Sequence, residues 1–206
     1  MQVYEAMPLR FAVTFDYRCP FACNLHEHLA DALEAGADWS VRFIPFSLGQ
    51  AHVREGEPDV WDNPDADTGI VAMQVGIAVR DHFPDRFLHV HRGLFHARHR
   101  EGRPIKDPDV VRAVLAEQGL DPDEVWAHLE DGSALRTIRS EHETAVARHK
   151  VWGVPTIIAG EQAVFIRLMN GSDGDPARSQ AIVERLVGLI QDWPELNEFK
   201  HTSLAC

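Results

Sequence analysis

The hydrophobic pattern near the start of the chain predicts a strand that leads directly into a helix. Phe11, Val13 and Phe15 alternate with smaller or polar residues, as in a strand with one buried face. From Ala22 onward the apolar residues recur at intervals of three and four, which is typical of a helix with one buried side. Gly36 then ends this helix, because glycine readily adopts the left-handed conformation that follows helix ends.

Further along the chain, the pattern changes from strand to helices and back to strands. A second strand completes a strand-helix-strand unit, and a stretch rich in Gly, Pro, Asp and Glu connects it to a series of helices. A hairpin, a final helix and a tail of weak periodicity follow. The predicted ranges are 39–48 for the second strand, 49–64 for the connection, 65–150 for the helices, 156–158 and 163–168 for the hairpin, 176–192 for the final helix and 196–206 for the tail.

Cys19 stands where the first strand ends and the helix begins. Pro20 suits the first helical position, so Cys19 is predicted to be the N-cap. The free N–H groups and the helix dipole favour an anion there, which should lower the pKa of the thiol below the free value of about 8.5. Arg18 adds a positive charge beside it. These features predict a nucleophile at Cys19, although an isolated cysteine is more often a small core residue.

A second stretch, Val151 to Leu168, favours the interpretation of Cys19 as a nucleophile over its interpretation as a small core residue. It contains a Gly-Val-Pro-Thr sequence, a β-branched run and a turn at Gly160. Proline cannot donate a hydrogen bond to a sheet, so Pro155 is predicted to begin a strand or to lie on an edge. Its peptide bond with Val154 is a candidate cis bond. The two stretches together are far more specific than either alone.

FDYRCPFAC and GVPTIIAG, separated by a long helical segment, together resemble the DsbA-like branch of the thioredoxin superfamily. The chain most resembles the cytoplasmic bacterial members related to FrnE and the mycothiol-dependent oxidoreductases, and the likeness extends over nearly its whole length. It implies an α/β protein with a thioredoxin-like fold and an inserted all-helical subdomain. The implied domains are residues 1–60 and 151–195 for the thioredoxin-like parts, 61–150 for the helical insertion and 196–206 for the tail.

The resemblance also implies a role for each motif residue. In this family the first cysteine of C-P-x-C attacks the disulfide or thiol substrate, and a cis proline faces it across the groove. Cys19 therefore takes the place of the nucleophile, opposite Pro155. Backbone groups of Val154 are expected to bind an extended substrate as an added strand would. The implied substrate-binding residues are Pro20, Phe21, Val154, Pro155 and Thr156.

The spacing of the second cysteine departs from the family pattern. That cysteine would fall at Ala22, whereas this chain has Cys23 one residue later. Four residues of helix place Cys19 and Cys23 within roughly 40° on the helical wheel and about 6 Å apart at Cα, so a disulfide is feasible with strain. Cys23 is expected at the rim of the groove, and a catalytic resolving role and a packing role are both open. Cys206, in the predicted tail, is a weaker candidate for the resolving thiol.

The twelve histidines raise the question of a metal site. His96 and His99 have helical i, i+3 spacing, but the chain has no CxxC pair and no His-Glu-x-x-His motif that would complete a zinc site. No metal site is therefore predicted. His26 lies two helical turns after Cys19, roughly 10 Å away, and is expected to be a solvated side chain.

The composition narrows the choice of partners and compartment. Nucleic acids and anionic membranes need clusters of Lys and Arg, so a chain with a formal net charge of −12 is a poor partner for either. No run of about 20 apolar residues predicts a membrane span. Three cysteines and a start without the basic and apolar regions of a secretory signal favour a reducing compartment, so the expected location is the cytoplasm.

The best-supported hypothesis is a thiol-disulfide oxidoreductase that uses Cys19 as its nucleophile. We expect a disulfide or a small thiol-reactive molecule as substrate, and no tightly bound cofactor beyond a low-molecular-weight thiol such as glutathione or mycothiol. Two alternatives stay open. One is an isomerase, transferase or reductase that depends on such a thiol and has a single catalytic cysteine, and the other is a non-catalytic thioredoxin-like binding module. A homodimer is also open.

Overall fold

The computed structural model describes residues 8–198 and 200–201, which contain a four-stranded sheet and eight α-helices. The strands are β1 (Leu9–Phe15), β2 (Trp39–Pro45), β3 (Thr156–Ala159) and β4 (Gln162–Phe165). The helices are α1 (Pro20–Glu34), α2 (Leu48–Ala51), α3 (Ile70–His82), α4 (Pro84–His99), α5 (Pro108–Glu117), α6 (Pro122–Ala127), α7 (Ser133–His149) and α8 (Pro176–Asp192). Two 3₁₀ helices, Val60–Asp62 and Pro64–Ala66, lie between α2 and α3.

The strand order in the sheet is β2-β1-β3-β4. β1 pairs in parallel with β2 and antiparallel with β3, and β3 pairs antiparallel with β4. Parallel neighbours need a crossover connection, and α1 supplies it. The predicted strand-helix-strand unit and the predicted hairpin are therefore confirmed. β2 ends at Pro45, earlier than predicted, because Ser47 caps α2 by accepting a hydrogen bond from the Gln50 backbone N–H.

Helices α3 to α7 are inserted between β2 and β3, which gives the α/β fold with a helical insertion that the resemblance implied. The first of them begins at Ile70 and not near residue 65, because Pro64–Ala66 forms a separate 3₁₀ helix. Asp107 and Asp121 accept backbone hydrogen bonds at the starts of α5 and α6, so an Asp-Pro pair begins each helix. No helix in the described part of the chain is long and apolar enough to cross a bilayer.

An aromatic cluster joins the helical insertion to the sheet. The ring of Phe15, at the end of β1, lies 4.7 Å from the ring of His91 in α4 and 5.2 Å from that of Tyr17. Tyr17 in turn lies 4.9 Å from Phe95, one turn further along α4. All four side chains are buried. The sheet and the insertion therefore share one hydrophobic core, and this core lies directly beneath the β1–α1 turn.

A chain of buried hydrogen bonds runs through this cluster. The Thr14 carbonyl can only accept, so His26 donates to it from Nε2 over 3.3 Å. His26 then accepts at Nδ1 from His91 Nε2 over 2.8 Å, and His91 Nδ1 accepts from the Tyr17 hydroxyl over 2.9 Å. His26 is only 2% exposed, so the expectation of a solvated histidine is wrong. Both of its ring nitrogens bind groups on other elements, which the local sequence could not indicate.

Gly76 of α3 lies against the Tyr17 ring, and we expect Gly76→Ala to destabilise the fold. A Cβ atom there would clash with the Tyr17 hydroxyl and lie 3.0 Å from Cε2 of the same ring, which is fully buried and hydrogen-bonded. Such overpacking costs about 1–3 kcal/mol, which exceeds the gain of about 1 kcal/mol that alanine brings to a helix interior.

Gly188→Ala in α8 is the matched control, because a Cβ atom there would meet no atom within 4 Å. We expect this variant to be stabilised by about 0.5–1 kcal/mol through helix propensity alone. Urea unfolding followed by circular dichroism measures both changes. A Gly76→Ala protein at least as stable as the wild type would show that α3 does not fix the Tyr17 ring.

Candidate active site

The turn between β1 and α1 is fixed by an ion-pair network around Asp16. The buried Asp16 carboxylate accepts hydrogen bonds from the Arg18 backbone N–H, from the Arg18 guanidinium at 2.7 and 3.0 Å and from the Leu48 backbone N–H. The same guanidinium also binds Asp67 over 3.0 Å. The charge of Arg18 is therefore held by two carboxylates. The expectation that it would assist the Cys19 thiolate is wrong.

Cys19 occupies the N-cap of α1, as predicted, because Pro20 is the first residue of the helix. Its Sγ accepts a hydrogen bond from the Ala22 backbone N–H over 3.4 Å. The thiol also donates to the Val154 carbonyl over 3.3 Å. Cys19 is buried, with 8% of its surface exposed. The two sequence motifs, more than a hundred residues apart, thus meet at this sulfur.

The loop that carries Val154 is held firmly against β1. The peptide bond between Val154 and Pro155 is cis. The next residue, Thr156, donates its backbone N–H to Thr14 Oγ1 over 2.9 Å, and its hydroxyl donates to the Gly153 carbonyl over 2.8 Å. Thr156 is therefore a buried positioning residue of the loop. Of the two residues after Cys19, Pro20 is exposed and Phe21 is half-buried.

Burial raises the pKa of the Cys19 thiol above its usual value. The backbone N–H groups of Ala22 and Phe21 oppose this rise, as the helix-terminus argument anticipated, and the charge of Arg167 opposes it more weakly. The expected lowering of the pKa is therefore wrong for the protein without a substrate. The helix end lowers the pKa through two N–H groups, but the same packing that aligns the sulfur with Val154 removes water from it.

Cys23 is not at the rim of the groove but in the core, with 1% of its surface exposed. Its thiol lies 3.6 Å from Glu27 Oε1, one helical turn along α1. Burial and the Glu27 carboxylate together raise the pKa of Cys23 to about 12. At neutral pH Cys23 is therefore held almost entirely as the neutral thiol. Cys19 and Cys23 are both free thiols.

Glu27 is the centre of a charged cluster beneath Cys23. Its carboxylate binds the Arg100 guanidinium at 2.8 and 2.9 Å and the His96 Nε2 at 2.9 Å. These two partners hold the pKa of Glu27 at about 2, despite its burial. Gly171 covers the cluster so closely that a Cβ atom would collide with the Glu27 carboxylate. Glu27 is therefore a firmly held anion, and an anion with such a low pKa is a weak base for the Cys23 proton.

Arg167 is a residue of the site that the sequence reasoning missed. It follows the end of β4, and its guanidinium lies 4.7 Å above the centre of the Phe21 ring. Nothing in the local sequence distinguishes Arg167 from the other arginines of the chain. Glu27 could have been found, however, since its i, i+4 spacing from Cys23 places the two side chains on one face of α1.

Among the described residues no three His, Cys, Asp or Glu side chains converge to hold a metal ion. His96 and His99, which have the spacing of helical metal ligands, have other partners. His96 binds Glu27, and His99 binds the Tyr17 carbonyl over 2.9 Å. Cys206, the weaker candidate for a resolving thiol, lies outside the described residues.

The fold and the site together define a class of protein. A thioredoxin-like sheet with a helical insertion carries an N-cap cysteine that faces a proline loop, which is the arrangement of a DsbA-like thioredoxin domain. The model of the DSBA-like thioredoxin domain matches residues 12–182, and the chain belongs to this family.

Known proteins are similar to this chain in sequence or in fold. Uncharacterized protein Rv2286c of Mycobacterium tuberculosis is 26% identical over 178 residues, which cover 85% of this chain and 76% of that protein. Reduced DsbA1 from Neisseria meningitidis has a similar fold with a TM-score of 0.57, at 17% identity over 95% of this chain and 91% of the other. A periplasmic thioredoxin-like protein from Salmonella enterica gives a TM-score of 0.58, at 19% identity over 88% and 86% of the two chains.

Proposed function

We propose that this protein catalyses thiol-disulfide exchange, with Cys19 as the nucleophile and a small thiol as the second reactant. The observation that carries the proposal is the 3.3 Å contact between Cys19 Sγ and the Val154 carbonyl. It supports the proposal because a substrate bound against the proline loop would lie beside the sulfur. Family membership supplies the reaction class.

The proposed reaction has two exchange steps. In the first, the Cys19 thiolate attacks one sulfur of a small disulfide; the disulfide bond breaks, a Cys19 mixed disulfide forms, and the other half leaves as a thiolate that takes up a proton. In the second, the thiolate of a small thiol attacks the substrate sulfur of the mixed disulfide and releases Cys19 as a thiolate. One half of the substrate is thereby released as a thiol and the other half leaves in a new disulfide with the small thiol, so one disulfide bond forms for each one that breaks. A second small thiol can reduce this new disulfide by the same exchange and yields the disulfide of the small thiol.

The environment of Cys23 supports resolution by a thiol from solution. An internal resolving cysteine must lose its proton before it attacks, and the pKa of about 12 makes this costly for Cys23. The nearby Glu27 carboxylate is held by Arg100 and His96 and is a weak base. We therefore favour the single-cysteine route. Since this route consumes a reduced small thiol, we also propose the cytoplasm as the compartment.

The reactivity of Cys19 tests the proposal directly. Iodoacetamide should alkylate Cys19 at least about tenfold faster than Cys23 at pH 8, because the thiolate of Cys23 is far scarcer. The rate at Cys19 should still rise between pH 8 and pH 9, since burial raises the pKa of this thiol. Peptide mass spectrometry identifies the modified cysteine.

A disulfide probe completes the test. Incubation with 2-hydroxyethyl disulfide should leave an adduct on Cys19 and none on Cys23, and reduced small thiol should then remove it. An adduct found on Cys23 and not on Cys19, or equal alkylation of Cys19 and Cys23, would remove Cys19 as the nucleophile. A Cys19 adduct that reduced thiol cannot release would favour a binding module over an enzyme.

A further inference from the structure

Arg167 is an exposed cation with no ion pair or hydrogen bond to any described residue. Its guanidinium instead lies over two aromatic rings, 4.7 Å from the centre of Phe21 and 5.8 Å from that of Phe165. Stacking on a ring face orients a guanidinium but leaves its N–H donors free in the plane of the group. Arg167 therefore presents unused hydrogen-bond donors beside Phe21, which lies two residues after Cys19.

The backbone on both sides of Arg167 is fixed to the active site. The Ile166 N–H donates to the Pro155 carbonyl over 2.9 Å, within the proline loop. The Leu168 carbonyl accepts from Asn24 Nδ2 over 2.8 Å, on α1. Arg167 thus stands between one anchor on the loop that faces Cys19 and another on the helix that Cys19 caps. Its position is set by the same two elements that position the sulfur.

A cavity of about 760 Å³ extends from Arg167 to His28 of α1, away from the end of the helix that Cys19 caps. Its lining includes Arg167, Met169, His28 and Arg178, while its acidic residue, Asp173, lies 3.4 Å from Arg178. The volume is in the range that accommodates a small-molecule ligand. In a chain of formal net charge −12, this cavity combines apolar walls with an arginine that has no ion pair among the described residues.

We propose that Arg167 binds a carboxylate of the substrate whose sulfur reacts with Cys19. The inference rests on the proposed function and defines its substrate class, a carboxylate-bearing disulfide of low molecular weight. A guanidinium and a carboxylate form two parallel hydrogen bonds, so the contact would orient the substrate as well as attract it. Arg167 is then a specificity-determining residue, and the Phe21 and Phe165 rings hold it in position.

The charge of the substrate provides the test. For each disulfide, the rate of Cys19 adduct formation is divided by the rate at which the same disulfide reacts with free cysteine. In the wild-type protein this normalised rate should be higher for glutathione disulfide, which is anionic, than for neutral 2-hydroxyethyl disulfide, and the normalised ratio is the first value divided by the second. In Arg167→Gln this normalised ratio should fall about tenfold, the size of one charge-assisted contact. Arg167→Lys should keep part of the preference for the anionic disulfide, because lysine retains the positive charge but lacks the planar guanidinium that forms two parallel hydrogen bonds. The wild-type ratio should also fall as salt is added.

The comparison of two disulfides separates binding from reactivity. Loss of the Arg167 charge also removes a weak lowering of the Cys19 pKa, but that change slows both disulfides equally and cancels in the ratio. Arg10→Gln is the matched control, because Arg10 is also exposed but lies at the start of β1, about 16 Å of strand from the end that leads to Cys19. Arg10→Gln should keep the wild-type ratio.

A non-reactive ligand distinguishes this inference from the proposed function. S-methylglutathione has the carboxylates of glutathione and no free thiol, and its binding can be followed by the fluorescence of the exposed Trp152, whose ring lies 4.6 Å from Phe165. Its dissociation constant should rise about tenfold in Arg167→Gln. Adduct formation with an unchanged charge ratio and unchanged binding would overturn the role of Arg167 alone. Absence of any Cys19 adduct would overturn the proposed function, while the binding measurement would still decide the role of Arg167.

Discussion

Replacing Cys19 with serine should abolish disulfide exchange, whereas replacing Cys23 with serine should leave the larger part of it. A serine hydroxyl forms no anion near neutral pH and cannot form a disulfide, so turnover of a small disulfide should fall at least about 10³-fold in Cys19→Ser. Serine is a preferred N-cap and can accept the Ala22 N–H bond that Sγ accepts now. The variant should therefore remain folded, and the loss should be chemical.

Cys23→Ser is the matched variant, since it makes the same replacement one helical turn away. The serine hydroxyl can donate to Glu27 as the thiol does, so the charged cluster is preserved. With saturating small thiol in the assay, we expect this variant to keep more than about half of the wild-type turnover, because Cys23 is poorly ionised. Comparable loss in the two variants would make Cys23 the resolving residue and the single-cysteine mechanism wrong.

The position of Cys19 was predictable because the information that sets it is local. A proline at the first helical position follows the cysteine directly, and an alternating apolar pattern precedes it. Strand β1 and helix α1 depend on neighbours within a few positions, and so do the hairpin of β3 and β4 and the start of α8. For these elements the hydrophobic pattern and the capping residues were sufficient.

The electrostatics of the site were not predictable, because they depend on partners far along the chain. The sequence places Arg18 beside Cys19, but its guanidinium binds Asp67, 49 residues away. The Cys19 thiol binds the Val154 carbonyl, 135 residues away, and this packing produces the burial that raises its pKa. Arg167 became a candidate only when the fold placed it over Phe21. Desolvation depends on the whole fold, so the sign of the pKa shift could not be read from the helix end alone.

The protein should lose stability steeply as the pH falls from about 6.5 toward 4. Burial lowers the pKa of His26 to about 3 and that of His142 to about 4, and burial beside His26 lowers the pKa of His91 well below its usual value. The unfolded chain takes up a proton at each histidine below about pH 6.5, whereas the folded protein does not. Stability is therefore fully present above this pH and decreases as protons bind the unfolded state.

The expected loss is large compared with the stability of an ordinary domain. Each buried neutral histidine contributes about 1.4 kcal/mol per pH unit once the pH is well below 6.5. Three of them give a loss of about 4–6 kcal/mol between pH 7.5 and pH 5, out of a typical total of about 5–15 kcal/mol. Urea unfolding at several pH values measures this change. A free energy of unfolding that stays constant over this range would show that these histidines are not buried and neutral.

His142→Phe should recover part of this loss and so identify its cause. The His142 ring lies 4.3 Å from Phe46 and 5.6 Å from Trp61, and its Nδ1 has no hydrogen-bond partner among the described residues. A phenyl ring keeps the aromatic contacts and removes both the unpaired nitrogen and one protonation site of the unfolded chain. The advantage of the variant over the wild type should therefore grow by about 2 kcal/mol between pH 7.5 and pH 5. His52→Gln, at an exposed position, should follow the wild-type pH dependence. If both variants ran parallel to the wild type, the acid loss would have to come from the other histidines whose pKa burial lowers. These include His26 and His91, whose hydrogen-bonded chain joins the insertion to the sheet beneath Cys19.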